Sequence, residues 1–180
     1  MQSPVDDWLK HIGKESSLDD FSHVSNMIAE RVANAMKQSK DEVNKELAYI
    51  SEFLERPKPE VSEVGELAWQ SLRWSAEGIK LAISEYISNP PKDSELKETS
   101  EEKIKKTLLK AYEHASKYES GQKDALEDAI KMYKEASRLI LGGVKVSRFI
   151  NMDVPIDNTA MVRSWMDGLV RYLEKAKRWG

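Results

Sequence analysis

Apolar residues recur at every third or fourth position along most of the chain, whereas the alternation typical of β-strands is almost absent. This spacing places apolar side chains on one face of an α-helix. It predicts six or seven helices, which begin near positions 3, 17, 39, 59, 99, 122 and 158. We therefore expect an all-α protein in which residues 1–180 form a single helical bundle.

Local signals support several of these limits. The capping and stop signals are Ser39 with Glu42, Thr99 with Glu102, Asn158, and Gly142-Gly143. Residues 92–98 are polar and lack periodic apolar positions, so we predict an exposed loop there. Residues 144–157 fit either a short helix or an extended segment followed by a loop, and the pattern does not choose between them.

The longest helical segment, about 59–88, carries two apolar stripes. Its broad face consists of Val61, Val64, Ala68, Leu72, Ile79, Ile83 and Tyr86. A second line, on roughly the opposite side, consists of Leu67, Trp74 and Leu81. A helix with two apolar stripes needs cover on both sides. We interpret it as the long central helix of the bundle, with an interface to another chain at the second stripe as the alternative.

Composition narrows the class of protein. The chain has 28 Lys and Arg against 31 Asp and Glu and no cysteine, which excludes disulfide scaffolds, thiolate zinc sites and iron–sulfur clusters. No apolar run approaches 18 residues, and the first residues lack the pattern of a secretion signal. We expect a cytoplasmic protein without a membrane partner. The Lys and Glu content also fits a protein from a thermophile.

The charges are unevenly distributed. Residues 1–128 carry 18 Lys and Arg against 26 Asp and Glu, whereas residues 129–180 carry 10 against 5. The basic residues of this second region are Lys131, Lys134, Arg138, Lys145, Arg148, Arg163, Arg171, Lys175, Lys177 and Arg178. Aromatic residues are interleaved among them, as in surfaces that bind single-stranded nucleic acid. The alternative is that these cations pair with acidic helices of the same chain.

Signatures of catalysis are weak. The three histidines are not at metal-binding spacing, and nucleotide-binding glycine motifs are absent. Glu63 and Glu66 lie in a stretch that is similar to the E-E-x-x-E helix of the all-α NTP pyrophosphohydrolases, whose carboxylates bind Mg²⁺. Ser62 replaces the first Glu of that pattern, and no E-x-x-D follows downstream.

The sequence therefore favours a non-enzymatic helical interaction or scaffold subunit of a larger assembly, without a cofactor or metal. The more specific hypothesis is a small subunit of a nucleoprotein complex. Its partners are other protein subunits and, through the basic C-terminal third, RNA or single-stranded DNA. The alternative is a diverged metal-dependent nucleotide pyrophosphohydrolase that uses Glu63 and Glu66.

Overall fold

The computed structural model describes residues 3–147 and 160–178. These residues form eight α-helices and no strand, which confirms the all-α prediction. The helices are α1 (Val5–Leu9), α2 (Leu18–Met36), α3 (Lys40–Glu55), α4 (Glu63–Ser88), α5 (Asp93–Glu98), α6 (Glu101–Glu119), α7 (Ala125–Leu141) and α8 (Ala160–Lys175). None of the described helices is long and apolar enough to cross a membrane. The predicted cap Asn158 lies outside the described residues.

The long helix α4 begins at Glu63, four residues later than predicted. The residue before Pro57 and the cap at Ser62 account for the difference. Arg56, which precedes Pro57, has an extended backbone with ψ 142°, as residues before proline usually do. The helix starts only where the Ser62 hydroxyl accepts a hydrogen bond from the Gly65 amide at 3.1 Å.

The prediction of an exposed loop over residues 92–98 is wrong, because helix α5 covers residues 93–98 of that segment. The Glu95 carboxylate accepts the Lys92 amide at 3.1 Å, which caps the first turn. The same carboxylate accepts a hydrogen bond from the Arg138 guanidinium of α7. This short polar helix is therefore stabilised by a side chain that lies far away in the sequence. The apolar pattern of residues 92–98 alone gives no sign of that contact.

The start of α6 differs from the predicted cap by one residue. Ser100, rather than Thr99, accepts the first helical amide, from Lys103 at 3.2 Å. Thr99 instead donates its hydroxyl to the Glu95 carbonyl at 2.5 Å and so belongs to the end of α5. By contrast, the Ser39 cap is confirmed, since its hydroxyl accepts the Glu42 amide at 3.2 Å.

The chain divides into two compact units, residues 1–80 with 164–180, and residues 81–163. The first unit contains α1–α3, the first part of α4 and most of α8. Its aromatic core is built from Trp8, Phe53 and Trp69, whose rings meet edge to face at 5.9 and 5.5 Å. The single-domain assignment for residues 1–180 stays a prediction.

In the second unit, α6 and α7 pack against each other and bury Tyr112 and Tyr133. Burial raises the pKa of Tyr112 to about 12. Gly143 follows α7 with φ +116°, and its amide bonds to the Ile140 carbonyl at 3.0 Å. Gly142-Gly143 therefore ends this helix as predicted.

Two glycines let α4 and α8 approach backbone to backbone within the first unit. A Cβ atom on Gly168 would lie 2.1 Å from the Ser75 carbonyl oxygen. A Cβ atom on Gly78 would lie 2.4 Å from Trp165 Cα. No side chain fits at either position, so this crossing fixes where α8 lies along α4.

Candidate functional site

The buried face of α4 is rotated from the predicted one near its N-terminus. Trp69, absent from both predicted stripes, is buried and packs edge to face on Phe53. Val64, predicted to be buried, is 65% exposed, and Leu67 is 77% exposed. Trp69 takes the core position because it reaches the aromatic cluster, and this leaves the two aliphatic side chains outside.

Of the predicted interface line, Leu67 is thus exposed, while Trp74 and Leu81 are half-buried. The three residues do not form one uniform exposed stripe. The apolar surface at the start of α4 extends instead across to α2, where Leu18 is 61% exposed.

Leu18, Val64 and Leu67 line one groove in the first unit, with a volume of about 480 Å³. The α2 wall lies on one helix face and consists of residues at i, i+3, i+4 and i+7, namely Leu18, Phe21, Ser22 and Ser25. Ser17 and Asp20 fix the start of this helix through a reciprocal cap, in which the Ser17 amide bonds to Asp20 Oδ2 at 2.7 Å.

The α4 wall has the same spacing and consists of Val64, Leu67, Ala68, Ser71 and Leu72. Phe21 and Leu72 are buried, so they form the floor, whereas the first turns of both helices stand exposed. The groove therefore presents two helix faces with apolar ridges to solvent.

Helix α8 supplies the third side of the groove through Asp167 and Arg171. Arg171 Nε donates to Asp167 Oδ2 at 2.9 Å, and Nη1 donates to Asn26 Oδ1 at 2.9 Å and to the Ser22 carbonyl at 3.5 Å. We call this the closed end of the groove. The part lined by Leu18 and Val64, in the first turns of α2 and α4, is called the open end.

Two carboxylates are sequence neighbours of the residues at the open end. Asp19 follows Leu18 directly, and Glu63 precedes Val64 directly. Both are exposed, and neither takes part in a salt bridge among the residues that the structure describes. Glu66, by contrast, accepts Lys58 Nζ at 2.7 Å. The first turns of α2 and α4 thus each include an exposed carboxylate that forms no salt bridge in the described part of the chain.

The predicted nucleic-acid residues are distributed over both units. Those in the second unit are Lys131, Lys145 and Arg163, which are exposed, Lys134, which is half-buried, and Arg138. Those in the first unit are Lys175, Lys177 and Arg178, all exposed after or at the end of α8, and Arg171. Arg148 lies outside the described residues. Nucleic-acid contact by the exposed cations stays a prediction.

Two of these cations bond within their own unit. Arg138 is only 5% exposed, and its guanidinium donates to Glu95 and to Glu135, the latter at 3.0 Å from Nε. Arg171 bonds to α2 and to Asp167 as described above. For these two positions the structure supports the intramolecular alternative, and we leave both out of a polyanion surface.

Across residues 3–147 and 160–178, no three His, Asp or Glu side chains are placed to share a metal ion. The hypothesis of a pyrophosphohydrolase that uses Glu63 and Glu66 gains no support from the described geometry and stays untested.

The described residues thus define an all-α protein with an open, partly apolar groove. The chain matches no protein-family model, and comparison with curated proteins and with solved structures gave no match. The function is therefore inferred from the groove itself.

Sequence reasoning missed the groove because it assigned Val64 to a buried stripe and treated Leu18 only as one of the periodic apolar positions of its helix. A signal was available, since both residues lie in the first turn of their helices. A first turn has no preceding turn of its own helix to cover it, so an apolar residue there needs a neighbour from elsewhere.

Proposed function

We propose that this chain is a helical interaction subunit that binds an amphipathic helix of a partner protein in the groove between α2, α4 and α8. One observation carries the proposal. The described residues include four exposed large apolar side chains, Leu18, Val64, Leu67 and Leu109, and three of them line this groove. Exposed apolar residues on monomers are usually scattered, whereas clustered ones mark interaction sites.

The groove has the shape of a helix-binding site. Its two long walls are helix faces with residues at i, i+3, i+4 and i+7, into which the ridges of a further helix pack. Phe21 and Leu72 form an apolar floor, and the exposed Leu67 and Val64 form a rim that a partner would cover. Full burial of one such side chain contributes about 1.5–3 kcal/mol.

Charge favours a different protein over a second copy of this chain. In a twofold dimer through the open end, Asp19 and Glu63 would lie near the same carboxylates of the other copy. Close like charges oppose such an interface. A helix with Lys or Arg beside its apolar stripe neutralises both carboxylates, so it is the occupant that we propose.

The test uses a display library of peptides about 14 residues long, with all positions randomised. We expect selection on the wild-type protein to enrich peptides with apolar residues at i, i+4 and i+7. Their affinity should fall at least tenfold on Leu67→Asp and stay unchanged on Leu109→Asp. Leu109 is the matched control because it is exposed and apolar but lies on α6.

Two results would overturn the proposal. One is that no selected peptide loses affinity on Leu67→Asp. The other is that light scattering detects a wild-type dimer which Leu67→Asp dissociates, because the groove then binds a second copy.

Nucleic-acid binding is a separate hypothesis. It draws support from Lys175 and Lys177, which are exposed and form no salt bridge within the described part of the chain. A subunit that binds a partner helix on one surface and phosphates on another suits a nucleoprotein assembly.

A further inference from the structure

Two of the three histidines of the chain lie side by side in the first unit, although they are twelve positions apart in the sequence. The rings of His11 and His23 contact each other edge to face, with their centres 5.1 Å apart and their planes at 78°. We propose that this histidine pair binds a Zn²⁺ ion through one nitrogen of each ring, with water in the remaining positions. Spacing along a single helix could not reveal the pair, because His11 follows α1 and His23 belongs to α2.

The distance between the ring centres suits a shared tetrahedral ion. A bond from Zn²⁺ to a histidine nitrogen is about 2.0–2.1 Å long, and the ring centre lies about 1.15 Å behind that nitrogen. Each ring centre therefore stands about 3.2 Å from the ion, and two rings at the tetrahedral angle have centres about 5.2 Å apart. At a right angle the separation would be about 4.5 Å. The observed 5.1 Å is close to the tetrahedral value.

The orientation of the rings needs one adjustment. Edge-to-face contact aims the nitrogens of one ring at the other ring and not at a common point. A turn of one ring about its Cβ–Cγ bond corrects this, and the ring centre stays almost in place because the bond axis runs through the ring. This torsion has broad minima in histidine, so the turn costs little. Neither ring forms a hydrogen bond in the described part of the chain, so the turn breaks none.

The backbones that carry the two rings are fixed by contacts that need no metal. The His11 amide donates to the Trp8 carbonyl at 3.3 Å, and the His11 carbonyl accepts the Ser16 hydroxyl at 2.8 Å. Trp8 is buried in the aromatic core, and Val24, which follows His23 in α2, is also completely buried. The backbone therefore loses little conformational entropy when an ion binds.

The chemistry of the two ligands selects the class of ion. Imidazole nitrogens bind Zn²⁺, Cu²⁺ and Ni²⁺, whereas Mg²⁺ and Ca²⁺ prefer oxygen ligands. Cu²⁺ and Ni²⁺ favour square arrangements, in which neighbouring rings lie closer than in this pair, so the geometry favours Zn²⁺. No third His, Asp or Glu among the described residues completes the site. Water then occupies the other two positions, and we expect an exchangeable ion on which the fold does not depend.

The experiment titrates zinc chloride into the full chain, prepared without a histidine tag, by isothermal titration calorimetry. We expect one ion per chain. His11→Gln and His23→Gln should each weaken binding at least tenfold, because each variant removes one of the two protein ligands. His114→Gln is the matched control, since it removes the remaining histidine, which lies on α6 in the second unit, and it should leave the affinity unchanged.

Two further measurements identify the ligands and the folded state as the binding partner. One equivalent of Zn²⁺ should shift the imidazole NMR signals of His11 and His23 and leave those of His114 in place. An ion that binds the folded state raises Tm as its concentration increases. Tm should therefore rise with Zn²⁺ in the wild type and in His114→Gln, and stay constant in the two variants of the histidine pair.

Three results would overturn the proposal. The first is that the wild type shows no Zn²⁺ binding tighter than about 1 mM. The second is that all three histidine variants weaken binding equally, because the ion then has no defined site. The third is that both variants of the pair bind Zn²⁺ like the wild type, which would leave the two rings with a packing role only. If circular dichroism shows that a variant is unfolded, the NMR shifts of the wild type decide. Neither histidine lines the groove, so these results do not bear on the proposed function.

Discussion

The close crossing of α4 and α8 makes Gly168→Ala the most informative perturbation of the fold. The added Cβ would lie 2.1 Å from the Ser75 carbonyl oxygen, whereas ordinary contact begins at 3.4 Å. The position of the Cβ is fixed by the backbone of α8, and the atom that it meets belongs to the backbone of α4. No side-chain rotation therefore relieves the overlap. Helix α8 would have to move away from α4 by more than 1 Å.

That movement loosens the interior of the first unit. Trp165 and Leu169, which flank Gly168 on the same helix, are almost completely buried. Overpacking of this kind costs about 1–3 kcal/mol, and we expect the upper part of that range here. The better helix propensity of alanine returns up to about 1 kcal/mol. We therefore expect a net loss of about 2 kcal/mol in the free energy of unfolding.

Urea denaturation and thermal melting, followed by circular dichroism, measure this loss. For a chain of this size, about 2 kcal/mol corresponds to a fall of about 4–8 °C in Tm. Gly13→Ala is the matched control, since a Cβ there meets nothing within 4 Å, and it should leave Tm unchanged or slightly higher. Equal or greater stability of Gly168→Ala would refute the close crossing.

The double variant Gly78→Ala with Gly168→Ala tests the same geometry differently. A Cβ on Gly78 would meet Trp165 Cα at 2.4 Å, at the same crossing. One displacement of α8 relieves both overlaps. The double variant should therefore lose less free energy of unfolding than the sum of the losses in the two single variants. Displacement of α8 also moves Arg171 away from Asn26, so affinity for groove-binding peptides should fall in parallel.

Three further expectations concern individual charges. Burial raises the pKa of Glu77 above its ordinary value of 4.5, so its charged form destabilises the folded state as pH rises through the raised pKa. Glu77→Gln should therefore raise Tm at pH 7, and the difference from wild type should vanish below pH 4.5. The Arg138 guanidinium lowers the pKa of Glu95, so their pair stabilises the fold above pH 4.5 and less as pH falls. Arg138→Gln should lower Tm at pH 7, narrow that difference in acid and speed amide exchange in α5; unchanged exchange would contradict this role. If the C-terminal cations bind single-stranded RNA, log affinity should fall with log salt by about 0.7 per phosphate contact, and Lys175→Gln with Lys177→Gln should flatten that slope. No binding of wild type at about 50 mM salt, where phosphate contacts are strongest, would end that hypothesis for the isolated chain.

Local chemistry in the sequence was sufficient to predict the helical class and several helix ends. The apolar spacing predicted α2, α3, α6, α7 and α8, because one buried face dominates each of them. Ser39 and Gly142-Gly143 mark helix ends through bonds to residues only a few positions away. Such interactions are encoded in a short window and need no tertiary structure.

Tertiary structure decided the features that the sequence pattern missed. Helix α5 depends on Arg138, which is distant in sequence, and the start of α4 turns outward because Trp69 reaches the aromatic core. The groove combines side chains of three helices that are far apart along the chain. Periodicity reports which face of one helix is apolar, but only packing determines which of those apolar residues stay uncovered. Leu18 and Val64 have the same sequence signal as buried core residues, and the groove stays open because no other described helix of their unit covers them.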